Sequence, residues 1–132
     1  MRRRVVEVSG LGHGGQPIPL AVTIGGLLVT GGLSGRDPET GALAPAFEDE
    51  VAQLFRNIRA VLAAAGADPG SVAKITVLLR DGAHREAVNR EWVALFPDPA
   101  DRPARQTFLQ QLPGDLRVQA DLLAVLENRD SA

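Results

Sequence analysis

Apolar residues change their spacing several times along this chain, and each change marks an element. Arg3 to Val8, Ile18 to Thr23 and Leu27 to Gly31 are short apolar or β-branched runs. The last two are joined at Gly25-Gly26, a dipeptide suited to a tight hairpin turn. Asp37-Pro38-Glu39-Thr40-Gly41 is a turn by composition. Beyond it Phe47, Val51, Leu54, Phe55, Ile58, Val61, Leu62 and Ala65 recur at steps of three, four and one. That is the period of one apolar helical stripe, and it predicts a helix over 46–65. Glu48, Asp49 and Glu50 fall in its first turns, where the helix dipole favours negative charge. Val72 to Leu79 reads as a buried strand, bounded by Asp68-Pro69-Gly70 and Asp81-Gly82. A second helix over His84 to Phe96 carries Val88, Trp92 and Leu95 on one side and is stopped by Pro97 and Pro99. Ala104 to Leu109 and Leu116 to Leu126 read as two further strands about the turn Leu112-Pro113-Gly114-Asp115, and Asn128 to Ala132 as a frayed end.

The order β-β-β-α-β-α-β-β predicts an α+β fold, a sheet with both helices packed on one face. Leu27 to Val29, Ile75 to Leu79 and Leu122 to Leu126 are apolar at odd and even positions alike. Two helices cover one face only, so the other is expected to be buried by further subunits. The pattern therefore implies an oligomer.

Composition narrows the chemistry. A chain of 132 residues is read as one domain, 1–132, large enough to fold without disulfides or a structural metal. The absence of cysteine excludes thiol nucleophiles, redox pairs and thiolate metal sites, and only two histidines remain, so no metal or cofactor is expected. With 14 basic against 16 acidic side chains, four Phe and one Trp, the chain lacks the basic surplus and stacking platforms of a nucleic-acid binder. Arg2-Arg3-Arg4 resembles the start of a signal segment, but Val5 to Gly10 is too short and broken to continue one. Prolines and glycines interrupt the uncharged stretch after His13, so no membrane span is expected and a cytoplasmic location is inferred.

Gly10-Leu11-Gly12-His13-Gly14-Gly15 matches a dinucleotide-binding fingerprint literally, yet Gln16-Pro17-Ile18-Pro19 forbids the helix that would hold a pyrophosphate. His13 reads as an exposed loop residue. Arg105 stands out, a guanidinium inside a predicted strand. A hairpin turning at Pro113-Gly114 would place it opposite Ala120 to Leu122, beside Asp121. Two readings follow. One is a cross-strand salt bridge; the other is an arginine that receives a substrate carboxylate, with Asp121 handling a water.

The ordered set Gly31-Gly32, Asp37 to Gly41, Asn57, Ala64-Ala65-Gly66, Lys74 to Val77 with Arg80-Asp81, Asn89, Trp92, Pro103-Ala104-Arg105 and Leu112 to Asp115 resembles the Rid family. These are the YjgF-like reactive intermediate deaminases, also called endoribonuclease L-PSP. The resemblance spans about 17–125. It implies a chorismate mutase-like fold, a homotrimer with clefts between subunits, and cofactor-free hydrolysis of small 2-imino or 2-enamino acids to 2-oxo acids and ammonia. By position it implies that Arg105 clamps the substrate carboxylate, that Gly32 and Thr107 meet the substrate, and that Asn89 lines the cleft. The chain departs from the family pattern at three places: Asp121 stands for a catalytic Glu, Ile18 for a Tyr, and Thr107 for a Cys. The departures keep open a second reading, a trimeric module that binds small carboxylates without chemistry. The family label supplies a third, an endoribonuclease.

Overall fold

Turn chemistry sets the first ribbon of the sheet. Gly25 and Gly26 adopt φ of +55° and +87°, the combination whose twist matches antiparallel neighbours. They join β2 (Ala21–Ile24) to β3 (Leu27–Thr30), and β1 (Arg4–Val6) pairs antiparallel on the outer side of β2. β2 begins later than the apolar run suggests. Pro19 has no N–H to give a ladder, so Ile18 stays outside the sheet. The structure, a computed structural model, describes residues 1–127, and the frayed end expected over 128–132 lies outside them.

A two-residue strand β4 (Leu33–Ser34), too short to show in a hydrophobic pattern, follows β3. The long helix α1 (Phe47–Ala64) and the strand β5 (Val72–Leu79) form where the pattern places them. Ala46 offers no capping side chain, and the acidic first turn of α1 opposes the unsatisfied N–H groups instead. Helix α2 (Arg85–Leu95) is entered through a single 3₁₀ turn, Gly82–His84, capped by the Asp81 carboxylate, which accepts from the Ala83 N–H at 2.9 Å.

The last two strands correct the expected register. β6 (Ala104–Leu109) and β7 (Val118–Val125) do not form a hairpin. β6 runs parallel to β5 on its outer side, while β7 is antiparallel to β5 on the other, giving the order β1-β2-β3-β7-β5-β6 with β4 also on β7. Residues 110–117 therefore cross the end of β5 rather than turning tightly. Arg80 fastens this crossing: one Nη2 donates to the carbonyls of Leu112 at 2.8 Å and Gly114 at 2.9 Å, and its backbone N–H to Arg117 at 3.0 Å. The Pro-Gly signal is real, but it shapes a crossover.

Both helices lie on one face. Leu28, Ile75, Val77, Leu79 and Val118 point into that layer with Val51, Leu54, Ile58 and Val61 of α1 and Val88 of α2, all at most 1% exposed. Each such side chain contributes about 1.5–3 kcal/mol by leaving water. The other face is uncovered within one chain, as the doubly apolar strands suggest. Val29 pairs with Leu123 and Leu27 with Val125 there, and Val125 and Phe108 are 52% and 45% exposed. Among the described residues no helix is long and apolar enough to cross a membrane.

Candidate functional site

Arg105 sits on the outermost strand, in the register row of Ile75 and, beyond it, Leu122. That row faces the helices. Because β6 has a neighbour on one side only, the guanidinium is half covered, and α2 supplies the cover. Asn89 and Trp92, three residues apart, present one helical face to it. Arg105 Nη2 donates to Asn89 Oδ1 at 2.6 Å, and its guanidinium carbon lies 5.0 Å from the centroid of the Trp92 ring. Trp92 is in turn wedged edge-on against Phe96, ring centroids 4.7 Å apart. Neutral groups thus fix the plane of a charged fork. Burial, and secondarily the charge of Arg85, lower the Arg105 pKa from its ordinary value, although a guanidinium stays protonated at any physiological pH. Among the described residues no carboxylate lies within salt-bridge distance of it, since the one such pair there is Arg117–Glu50. A rigid, charged, unpaired fork at a sheet edge is suited to bidentate capture of a carboxylate. Thr107, two residues on and half-buried, lies on the same face in the row of Val77 and Ala120.

Asp121 is not there. Its row is Thr76 and Gln106, one step from Arg105's, and adjacent rows point to opposite faces. The cross-strand salt bridge that a hairpin would make is therefore absent, as is a joint Arg105–Asp121 site within a single chain. Asp121 points to the open face. Burial raises its carboxyl pKa, and the nearby Lys74 partly offsets that rise. Lys74 itself donates to Gln106 Oε1 at 3.3 Å.

Gly32 belongs with Asp121. The register Leu33↔Ala120 and Ser34↔Gln119, continued one step, brings Gly32 alongside Asp121. The side chain over Gly32 is that of Gln119: a Cβ at Gly32 would sit 2.0 Å from Gln119 Nε2 and would displace that amide. Between β3 and β4 the ladder to β7 is broken, and Thr30 Oγ1 fills the gap by accepting the Leu122 N–H at 3.0 Å. From this break to Arg105 the sheet extends across β7 and β5, roughly 14 Å at ordinary strand spacing. Ile18 is 53% exposed on the loop before β2, beside a cavity of about 550 Å³ that His13 also lines. His13 is not the exposed residue that its glycine-rich loop implies. It is half-buried, with Nε2 unpartnered and packed against Gly31.

The expected residues thus form two groups: Arg105, Asn89 and Thr107 on the helix side of the β6 edge, and Asp121 and Gly32 on the open face, with Ile18 beyond them. Trp92 and Gln119 were not anticipated as parts of either. Trp92 reads as core by periodicity, and its position three residues after Asn89 is the one available signal of its second contact. Gln119 shares Asp121's face through the strand alternation, once the strand is known to pair with β4. Among the described residues no group of three or more His, Asp or Glu side chains is placed to hold a metal ion.

Residues 18–126 match the family model described as endoribonuclease L-PSP. This chain belongs to the endoribonuclease L-PSP family, the Rid family of the sequence motifs. Within the L-PSP family it is 32% identical over 111 residues to a 2-iminobutanoate/2-iminopropanoate deaminase of Salmonella typhimurium, covering 83% of this chain and 87% of the relative. It is 33% identical over 110 residues to a RutC family protein of Aquifex aeolicus, covering 83% and 88%. The crystal structure of the Escherichia coli YjgF gene product superposes with a TM-score of 0.84 at 25% identity, covering 94% of this chain and 99% of the other. Two helices on one face of a mixed sheet are the architecture of these L-PSP structures.

Proposed function

We propose that this protein hydrolyses small 2-imino and 2-enamino acids to 2-oxo acids and ammonia without a cofactor, in clefts between the subunits of a homotrimer. The observation that carries the reading is Arg105, held flat by Asn89 and Trp92 and free of any carboxylate partner among the described residues. Relatives named as 2-iminobutanoate/2-iminopropanoate deaminases support the same chemistry. In the reaction Arg105 receives the carboxylate and thereby fixes the adjacent C=N carbon. Water adds to that carbon, giving a proton to a base. The nitrogen is protonated, the C–N bond breaks, and ammonia leaves the 2-oxo acid behind. Asp121 is the base in this proposal, and its place on the opposite face means that it serves the Arg105 of a neighbouring copy.

The open face supports assembly. Apolar patches of this kind seldom stand in water on a monomer. Light scattering at micromolar concentration is expected to give a trimer, and Leu123→Asp to dissociate it; a stable wild-type monomer would remove the cleft from the proposal.

The direct test couples an amino-acid oxidase, which generates imines in situ, to semicarbazide trapping of what remains. Faster loss of the imine with the protein present is the expected result, and no acceleration with any small imine would overturn the reading. Arg105→Lys keeps the charge and loses the planar fork, so its affinity for 2-oxobutyrate should fall about tenfold by calorimetry with the fold intact. Unfolding of that variant, with no carboxylate binding by the wild type, would make Arg105 structural. A second reading, a carboxylate-binding module, is favoured by one observation: the group over Gly32 is the Gln119 amide, which cannot take a proton. Stabilisation by 2-oxobutyrate without turnover would select it.

A further inference from the structure

We propose that the site prefers substrates with two carboxylates, imines of short dicarboxylic acids, with Arg85 receiving the distal carboxylate while Arg105 holds the one next to the C=N carbon. This rests on the imine-hydrolase reading and specifies its substrate class.

The argument starts from the face of α2. Asn89 and Trp92 both touch Arg105, so their side of the helix is turned toward β6. Arg85 precedes Asn89 by four residues and lies on that same side, one turn nearer the helix start. Its charge is felt at Arg105, where it adds to the effect of burial in depressing the pKa. Arg85 thus stands one helical turn from the group that holds Arg105, and among the described residues neither arginine has a carboxylate within salt-bridge distance. Among the described residues Arg85 makes no salt bridge or side-chain hydrogen bond. Asn89, which holds Arg105 from the helix, is neutral. Glu86 adjoins Arg85 in sequence but projects about 100° around the helix from it, and Asp81 is engaged with the Ala83 N–H at 2.9 Å.

An unpaired arginine on a surface needs no explanation. A second arginine repelling the first, across a site read as binding one carboxylate, has a consequence for selectivity. A monoanion leaves one positive charge uncompensated beside a partly buried one, whereas a dianion neutralises both. Arg85 and Asn89, four apart on the helix, have their Cβ atoms about 5–6 Å apart, and Asn89 touches the Arg105 fork, so Arg85 stands about one helical turn along from that fork, where it can meet the far end of a short chain. The effect acts on binding and orientation; the hydrolytic step is unchanged.

The test uses two measurements on the intact protein. Calorimetry compares 2-oxoglutarate with 2-oxobutyrate, and the oxidase-coupled assay compares imines made from glutamate or aspartate with those made from alanine or 2-aminobutyrate. The wild type is expected to favour the dicarboxylic member at least about fivefold in both. Arg85→Gln should abolish most of that ratio, and Arg85→Lys, which keeps the charge, should restore much of it. A wild-type ratio of one or less, or a ratio unchanged in Arg85→Gln, would overturn the proposal even if monocarboxylic imines are hydrolysed well. Preferential 2-oxoglutarate binding with no imine turned over would instead overturn the hydrolase reading and leave the charge preference in place. Absence of both binding and turnover would overturn both.

Discussion

Asp121→Asn is expected to lower turnover of small 2-imino acids by at least about 100-fold, the lower end of what a positioned general base contributes, while 2-oxobutyrate affinity changes little. The amide preserves shape and hydrogen bonding but cannot accept the proton that the attacking water gives up. Two pH effects accompany it. Burial raises the Asp121 pKa, partly offset by Lys74, so the acid limb of the wild-type rate should be shifted upward from the ordinary aspartate value, and it should disappear in the variant. Stability has the opposite sign. A carboxyl whose pKa is higher in the folded than the unfolded state holds its proton more tightly when folded, so stability falls as pH rises from the ordinary carboxylate value through the raised one. At neutral pH Asp121→Asn should therefore melt no lower than the wild type. Equal specific activity of the two proteins would remove Asp121 from the mechanism and leave a water held by backbone groups near Gly32.

The largest loss of stability is expected at Glu50, far from that chemistry. Its side chain is fully buried in the first turn of α1. Both its oxygens are occupied by one residue: Oε1 accepts from Arg117 Nε at 2.6 Å and Oε2 from the Arg117 N–H at 3.0 Å. The rest of the guanidinium donates to the carbonyls of Ala44 at 2.7 Å and Pro45 at 3.1 Å. This arrangement ties the entry of α1 to the residue just before β7. Glu50 is dry but Arg117 is 28% exposed and keeps its carbonyl partners, so loss of the carboxylate is expected to cost about 3 kcal/mol, the lower end for a broken buried pair. Glu50→Ala should lower the melting temperature by roughly 10–20 °C for a domain of this size. The double variant Glu50→Leu, Arg117→Met should recover much of the loss, because an apolar pair carries no desolvation cost. A Glu50→Ala denaturation midpoint equal to that of the wild type would show the pair to be dispensable.

What could be read from the chain and what could not divides along physical lines. Periodicity located α1 and β5 nearly to the residue, since each has a continuous apolar pattern and clear stops. The doubly apolar strands pointed correctly to a sheet with one uncovered face. Pairing was another matter. Leu112 to Asp115 has the composition of a hairpin turn, and nothing local distinguishes a turn that returns a strand to its neighbour from one that carries it over β5. That single ambiguity put Asp121 beside Arg105 when the two lie on opposite faces. Arg105 itself was legible as a guanidinium in a strand, yet its supports were not: Trp92 fits the apolar stripe of α2 as well as the edge of β6. Glu50 illustrates the same limit. It follows Phe47 by three and precedes Leu54 by four, so it falls on the buried stripe, but only the tertiary fold shows that Arg117 meets it there.

The position of β7 bears on how the molecule is made. Sheet order places it between β3 and β5, so the strand that joins the two halves follows all the others described in the chain. Until it arrives, a growing chain has a ribbon of β1, β2 and β3 and a separate parallel pair of β5 and β6 with their helices, each with an apolar edge and face open to water. Closure then requires contacts between residues about a hundred positions apart, the kind that makes folding slow. Unpaired apolar edges of that kind are the ones exposed to misassembly until their partner strand arrives, and β7 supplies the partner for β3, β4 and β5 together.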